Sequence, residues 1–79
     1  MVNSLLNKII IVTGGSGLLG RAIIKKLESK GAIAINADIN VFTDFEKHTI
    51  NVDITSEESI SNAIKWVVDS YGKIDGLVN

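Results

Sequence analysis

The chain alternates between short β-branched runs and longer stretches with helical spacing. Lys8-Ile9-Ile10-Ile11-Val12-Thr13 is a continuous apolar run, which predicts a strand buried on both faces. Leu19, Ala22, Ile23 and Leu27 recur at helical spacing. They predict a helix closed by Gly31, with Lys25, Lys26 and Lys30 near its negative dipole end. Ala32 to Ala37 reads as a second buried strand that ends at Asp38. Asn40 to Lys47 is polar and mixed with no sustained period, so a loop or a single turn is expected there. Thr49 to Val52 predicts a third strand, entered at His48 and ending at Asp53. Ile60, Ala63, Ile64, Val67, Val68 and Tyr71 then share one helical face. Thr55 and Glu58 have the spacing of a capping box for that helix, and Gly72 ends it. Ile74 to Val78 begins a fourth strand.

Strands alternating with helices predict an α/β fold with a parallel sheet and right-handed crossovers. There are no repeats, low-complexity tracts or internal linkers. At 79 residues the chain is one domain at most. A chain of this size buries about 60–65% of its unfolded surface, near the margin for folding alone. The 46% hydrophobic and 22% charged fractions are those of a soluble globular chain. A formal charge of −1 gives no electrostatic footprint for nucleic acid or an anionic membrane, so neither is expected as a partner. The absence of Cys excludes a disulfide framework and a thiolate metal site. With His48 as the single histidine, no metal site is expected. No apolar run approaches the roughly 18–20 residues of a membrane span. Met1 to Lys8 lacks the apolar core of a secretory signal, so the expected compartment is the cytoplasm.

The chemistry lies in Thr13-Gly14-Gly15-Ser16-Gly17-Leu18-Leu19-Gly20, where four of the seven glycines fall between a strand and a helix. Glycine allows positive φ and close approach of backbone to a ligand. The helix start beyond it presents free N–H groups and a partial positive charge, which suits a diphosphate. Gly15 to Gly20 fits G-x-G-x-x-G, a dinucleotide fingerprint. The same window fails as a P-loop, because Arg21 and Ala22 stand where Lys and Ser/Thr would be needed. Asp38, at the end of the next strand, has the placement of a ribose-binding acid. A carboxylate there accepts from ribose hydroxyls and repels a 2′-phosphate, and neither Ile39 nor Asn40 supplies a cation. NAD is therefore expected in preference to NADP. The plainer alternatives are a glycine-rich turn that binds nothing and an Asp38 that only caps a turn.

Three separated segments resemble the short-chain dehydrogenase/reductase family. They are the T-G-x-x-x-G-x-G-like loop at Thr13 to Gly20, Asn51-Val52-Asp53-Ile54-Thr55, and Tyr71-Gly72-Lys73-Ile74-Asp75-Gly76-Leu77-Val78-Asn79. The last is similar to the family's G-x-I-D-x-L-V-N-N-A-G. The resemblance implies a Rossmann-type sheet of about four strands in order 3-2-1-4. It also implies that residues 1–79 are the NAD(P)-binding half of a longer single-domain enzyme. Backbone around Gly14, Ser16, Gly17, Leu19 and Gly20 would hold the diphosphate and adjoining ribose. Asp53 would meet the adenine amino group with Ile54 beside the ring, and Asn79 would lie near the adenosine ribose. The alternative for Asp53 is an acid at a helix N-terminus.

Two departures stand out. Leu18 replaces a glycine of the compact branch, and Gly14, Gly17 and Gly20 also fit T-G-x-x-G-x-x-G, as in extended nucleotide-sugar epimerases and dehydratases. The loop and Ala37 to Asn40 are similar also to reductases that modify bacterial surface sugars. The stretch from Asp38 to Asp53 is too short for the usual helix between strands two and three. The family's catalytic Asn, Ser, Tyr and Lys follow N-N-A-G, so no catalytic residue is expected here. Tyr71 has Asp75 four residues on, not Lys, and reads as a core aromatic; Arg21 and Lys73 read as solvated, and Trp66 as a core edge or an interface. The expected parent reaction is hydride exchange between a nicotinamide and an alcohol, ketone or sugar substrate, by a homo-oligomer. This chain alone is expected to be inactive, with Ile74 to Val78 left as an exposed, association-prone sheet edge. A non-catalytic dinucleotide-binding module is the alternative of a different class.

Overall fold

A computed structural model describes residues 4–79. Met1 to Asn3, the start of the stretch in which no secretory signal is expected, lie outside the described residues. The elements run β1 (Ile9–Thr13), α1 (Leu18–Ser29), β2 (Ile33–Asp38), β3 (Thr49–Asn51), α2 (Glu57–Tyr71) and β4 (Gly76–Val78). The strands form one sheet in the order β3-β2-β1-β4, and each adjacent pair is parallel. The parallel sheet is the one the alternating pattern predicts, and its Rossmann-type architecture and strand order are those the family resemblance implied.

The apolar runs became the central strands because burial on both faces suits consecutive β-branched side chains. Ile9 to Val12 are all buried, and alternate positions serve opposite faces. Ile9 and Ile11 join Ile35, Ala37, Ile50, Val52 and Val67 in one core beneath α2. The first three strands begin or end within a residue of the expected bounds, whereas β4 begins two residues late, at Gly76. Residues 39–48 carry no helix; an isolated antiparallel bridge joins Asp44 to Thr49. No helix among the described residues is long and apolar enough to cross a membrane.

Several expectations need correction. Ser56, not Thr55, caps α2: its side chain accepts from Ser59 N at 3.1 Å. Thr55 is turned away because its N–H and hydroxyl both donate to Asp53 Oδ1. The apolar stripe of α1 is rotated from the expected one. Leu19 and Ala22 face solvent, while Gly20 is buried and Ile23, Ile24 and Leu27 are half-buried. The cause is the close seat of Gly20 against the glycine loop, described below. On α2 only Val67 is buried; Ile60, Ile64 and Val68 remain exposed because no further element packs on that side among the described residues.

Trp66 packs half-buried at the core edge, with its ring 5.8 Å from Tyr71 in an edge contact. Tyr71 also stacks on Phe45 at 4.7 Å and donates its hydroxyl to Phe45 O at 2.7 Å. This clasp ties the 39–48 loop to the end of α2. His48 enters β3 as expected, but at φ 56, with its ring edge-on to Tyr71. Lys73 is not simply solvated: it pairs with Asp75 at 3.0 Å. Asp75 Oδ2 also accepts from Ile9 N, and Asp75 N donates to Ile9 O, both at 2.8 Å. Among the described residues β4 forms one edge of the sheet, with Leu77 exposed.

Candidate functional site

Parallel strands aim their carboxyl ends at one rim, and loops at that rim surround any ligand. Thr13, Asp38 and Asn79 lie there, at or just after the ends of β1, β2 and β4, and Asp53 follows the end of β3. An open hollow of about 420 Å³ at this rim is lined by residues that include Gly14, Asp38, Ile39, Asp53, Ile54 and Thr55. It gathers Asp38, Asp53 and Ile54, three of the side chains singled out from the sequence.

The glycine loop turns from β1 into α1. Gly14 has φ 67, a conformation that glycine adopts without strain. Gly17 N donates to Gly14 O at 3.1 Å, and Gly17 is the N-cap of α1 with no side-chain cap. Gly20 is buried against the loop: a Cβ there would lie 2.3 Å from Gly14 O and 2.7 Å from Gly15 Cα. That is the close approach the third glycine of the fingerprint permits. Gly20 is thus a packing residue of the cradle and offers no side of itself to the hollow.

The two helix starts differ in a way that bears on ligands. At α2, Ser56 caps and Glu57 and Glu58 stand in the first turn, so its dipole is answered from within. At α1 there is neither a cap nor an acid in the first turn. The first N–H groups of a helix have no intrahelical partner, so those at Leu18 and Leu19 stay free for an anion. Leu18 and Leu19 are also 84% and 74% exposed, apolar side chains held at the mouth of the cradle.

Asp38 is held from two sides. Its Oδ1 accepts from Asn40 N at 3.0 Å and its Oδ2 from Ser16 N at 3.3 Å. The Asn40 N–H holds its carboxyl below the ordinary value; burial opposes this, and the Ser16 N–H and hydroxyl reinforce it. So Asp38 does cap a turn, and it also braces the glycine loop. Asp53 is lowered by the Thr55 hydroxyl first and the Thr55 N–H second. It stands before α2 as an acid near a helix start while still lining the hollow. Asn79 Oδ1 accepts from Thr13 Oγ1 at 3.3 Å. It lines a neighbouring apolar recess of about 280 Å³ rather than the hollow itself, and Thr13 borders both.

Two residues, Ile39 and Asn36, were missed from the sequence. Ile39 is 60% exposed and, with the expected Ile54 at 66%, lines the hollow, so its walls include two exposed apolar side chains suited to a planar ring. The position just after Asp38 was the available signal for Ile39. Asn36, a polar residue inside the buried run of β2, donates to Ser16 Oγ at 3.0 Å. Its polarity within that run was the signal. Arg21 borders a separate cleft on the α1 side with Lys25 and Lys47, away from the hollow.

Comparison with known proteins places these features. A family model for short chain dehydrogenase matches residues 8–79. A post-translational flagellin modification protein A of Campylobacter coli is 41% identical over 85 residues, covering 92% of this chain and 33% of that protein. The ligand-free aldohexose dehydrogenase of Thermoplasma acidophilum superposes with a TM-score of 0.86 at 30% identity, over 100% of this chain and 31% of that one. A 3-ketoacyl-(acyl-carrier-protein) reductase from Brucella melitensis, complexed with NADH, shares the fold with a TM-score of 0.79 at 23% identity, over 94% and 34% of the two chains. The chain spans about a third of the length of the relatives it matches.

Proposed function

The chain is a member of the short-chain dehydrogenase family, and from that premise we propose that residues 1–79 form the dinucleotide-binding half of an oxidoreductase, with NAD favoured over NADP. The observation that carries this reading is the pairing of an uncapped, acid-free helix start with a braced carboxylate across one open rim. The cradle fits a diphosphate because Gly20 leaves no Cβ against Gly14 and the N–H groups of Leu18 and Leu19 have no partner among the described residues. NAD supplies hydride exchange at its nicotinamide.

The chain's own residues bind and orient. Gly14, Ser16, Gly17 and Leu19 offer main-chain donors and close approach to the diphosphate and its ribose. Asp38, ionised at neutral pH, accepts from the adenosine ribose diol and repels a 2′-phosphate. Ile39 and Ile54 enclose the adenine, and Asp53 accepts from its amino group. Asn79, tied to Thr13, closes the ribose side. The parent reaction is hydride exchange with an alcohol, ketone or sugar by a homo-oligomer, and proton transfer belongs to residues outside this chain.

Isothermal titration with NAD and NADP tests the reading. NAD binds and NADP binds more weakly; Asp38→Ala weakens NAD roughly 10–100-fold, the value of hydrogen bonds to a charged group, and erases the preference. Absence of dinucleotide binding, even by a version extended through the family's catalytic segment, would sink it. The 79-residue chain mixed with NAD and alcohols forms no NADH in a spectrophotometric assay.

A further inference from the structure

Asn36 is a polar side chain that the cofactor reading leaves without a task. It lies on the α1 face of β2, paired with Val12 of β1 and Thr49 of β3, two positions before Asp38. Its Nδ2 donates to Ser16 Oγ at 3.0 Å, while its Oδ1 is buried with no partner among the described residues. A Cβ on Gly15 would fall 2.4 Å from that Oδ1, so the bare Gly15 is what lets the amide reach the loop. Among orphaned groups a carbonyl-type acceptor is tolerated better than an N–H, which favours this amide orientation over its reverse.

A serine hydroxyl has one hydrogen and two lone pairs. One lone pair of Ser16 Oγ accepts from Asn36, which ties the Ser16 side chain down onto β2. The Ser16 N–H already donates to Asp38 Oδ2 at 3.3 Å. We propose that Asn36 is a positioning residue: by holding Ser16 through its hydroxyl it keeps the Ser16 N–H on Asp38, so that the carboxylate is fixed for a ribose diol. The ligand side of this proposal rests on the dinucleotide reading; the relay from Asn36 through Ser16 to Asp38 exists without ligand.

The relay is tested by following the Asp38 carboxyl carbon by NMR as pH is varied. The samples are the wild-type chain, Ser16→Ala, Asn36→Val and the double variant. Valine keeps strand propensity at position 36 and deletes the amide. Ser16→Ala lies in the loop and leaves the core untouched, so the relay stays testable through it. The Asp38 midpoint rises in both single variants, and Asn36→Val adds nothing in the Ser16→Ala background. Asp53, held by Thr55 and lining the same hollow, keeps its midpoint and serves as the internal control. Titrations with NAD and NADP add the functional arm: the preference for NAD falls roughly 2–10-fold in Asn36→Val, the value of one neutral hydrogen bond. An Asp38 midpoint that is unchanged or lowered in Asn36→Val, that is unchanged in Ser16→Ala, or whose shifts add in the double variant, overturns the relay. A wild-type chain that shows the relay but binds neither nucleotide refutes the cofactor reading instead.

Discussion

Replacing Gly20 by alanine separates the cradle's packing from the rest of the fold. The new Cβ would sit 2.3 Å from Gly14 O, 2.7 Å from Gly15 Cα and 2.9 Å from Gly14 C. An ordinary contact begins at 3.4 Å, so something must move by about 1.1 Å (3.4 − 2.3). All three obstacles are main-chain atoms of the loop, with no rotamer to yield. Overpacking costs about 1–3 kcal/mol, and main-chain obstacles place this case at the upper end. Alanine's helix propensity returns at most about 1 kcal/mol, which leaves a net loss of roughly 2 kcal/mol. With a urea slope of about 1–2 kcal/mol/M for a chain this small, the midpoint falls by roughly 1–2 M. NAD affinity falls at least about tenfold, because the displaced atoms belong to the diphosphate cradle. Gly72→Ala is the control. Gly72 ends α2 at φ 91 with nothing within 4 Å of a Cβ, so alanine there costs about 1–2 kcal/mol through backbone strain alone. Its loss of stability comes without loss of affinity. The reasoning fails if Gly20→Ala matches wild type in circular dichroism melts and titrations, or if Gly72→Ala loses affinity equally.

Other outcomes follow from the clasp and the carboxylates. Tyr71→Phe removes the hydrogen bond to Phe45 O and destabilises by about 0.5–1.5 kcal/mol, read by urea unfolding, while amide exchange in residues 39–48 accelerates. Burial first, and the Asp44 charge second, hold the Tyr71 hydroxyl above its ordinary value. Its contribution is therefore complete below the unfolded tyrosine value and lost as pH rises through the folded one, an alkaline limb that Tyr71→Phe removes. Asp38, Asp53 and Asp75 are all held below the ordinary carboxylate value; for Asp75 the Ile9 N–H is the main cause and Lys73 the next. The unfolded chain binds more protons there, so their stabilisation is present above the unfolded carboxylate value and is lost as pH falls through the folded values. Urea midpoints measured from pH 7 down to pH 3 fall in wild type and fall less steeply in Asp75→Asn.

Much of this architecture could be read from residue order. The run Ile9 to Val12 and the alternation of strand and helix were enough for a parallel sheet, and the family resemblance added its order. The glycines around Ser16 marked the cradle because few other residues tolerate such close approach. What escaped depended on which of several adjacent groups wins a partner. Thr55 and Ser56 are both good caps, and the choice fell to Ser56 because Asp53 captured Thr55. The face of α1 was misjudged because spacing counts apolar side chains, whereas Gly20, which has none, sets the rotation. The clasp of Tyr71 on Phe45 joins residues 26 apart through a loop with no period to read. Asn36 was passed over because its role emerges only when Ser16 folds back over β2.

The place of β1 in the sheet has a consequence during synthesis. β1 pairs with β2 on one side, which is available once some two dozen further residues have been made. Its other side waits for β4, and the bond from Ile9 N to Asp75 that fastens the pair spans 66 residues. At translation rates of about 5–20 residues per second, that flank stays open for roughly 3–13 s after it leaves the ribosome. For that interval Ile9, Ile10 and Ile11 present a greasy, unzipped border on the nascent chain.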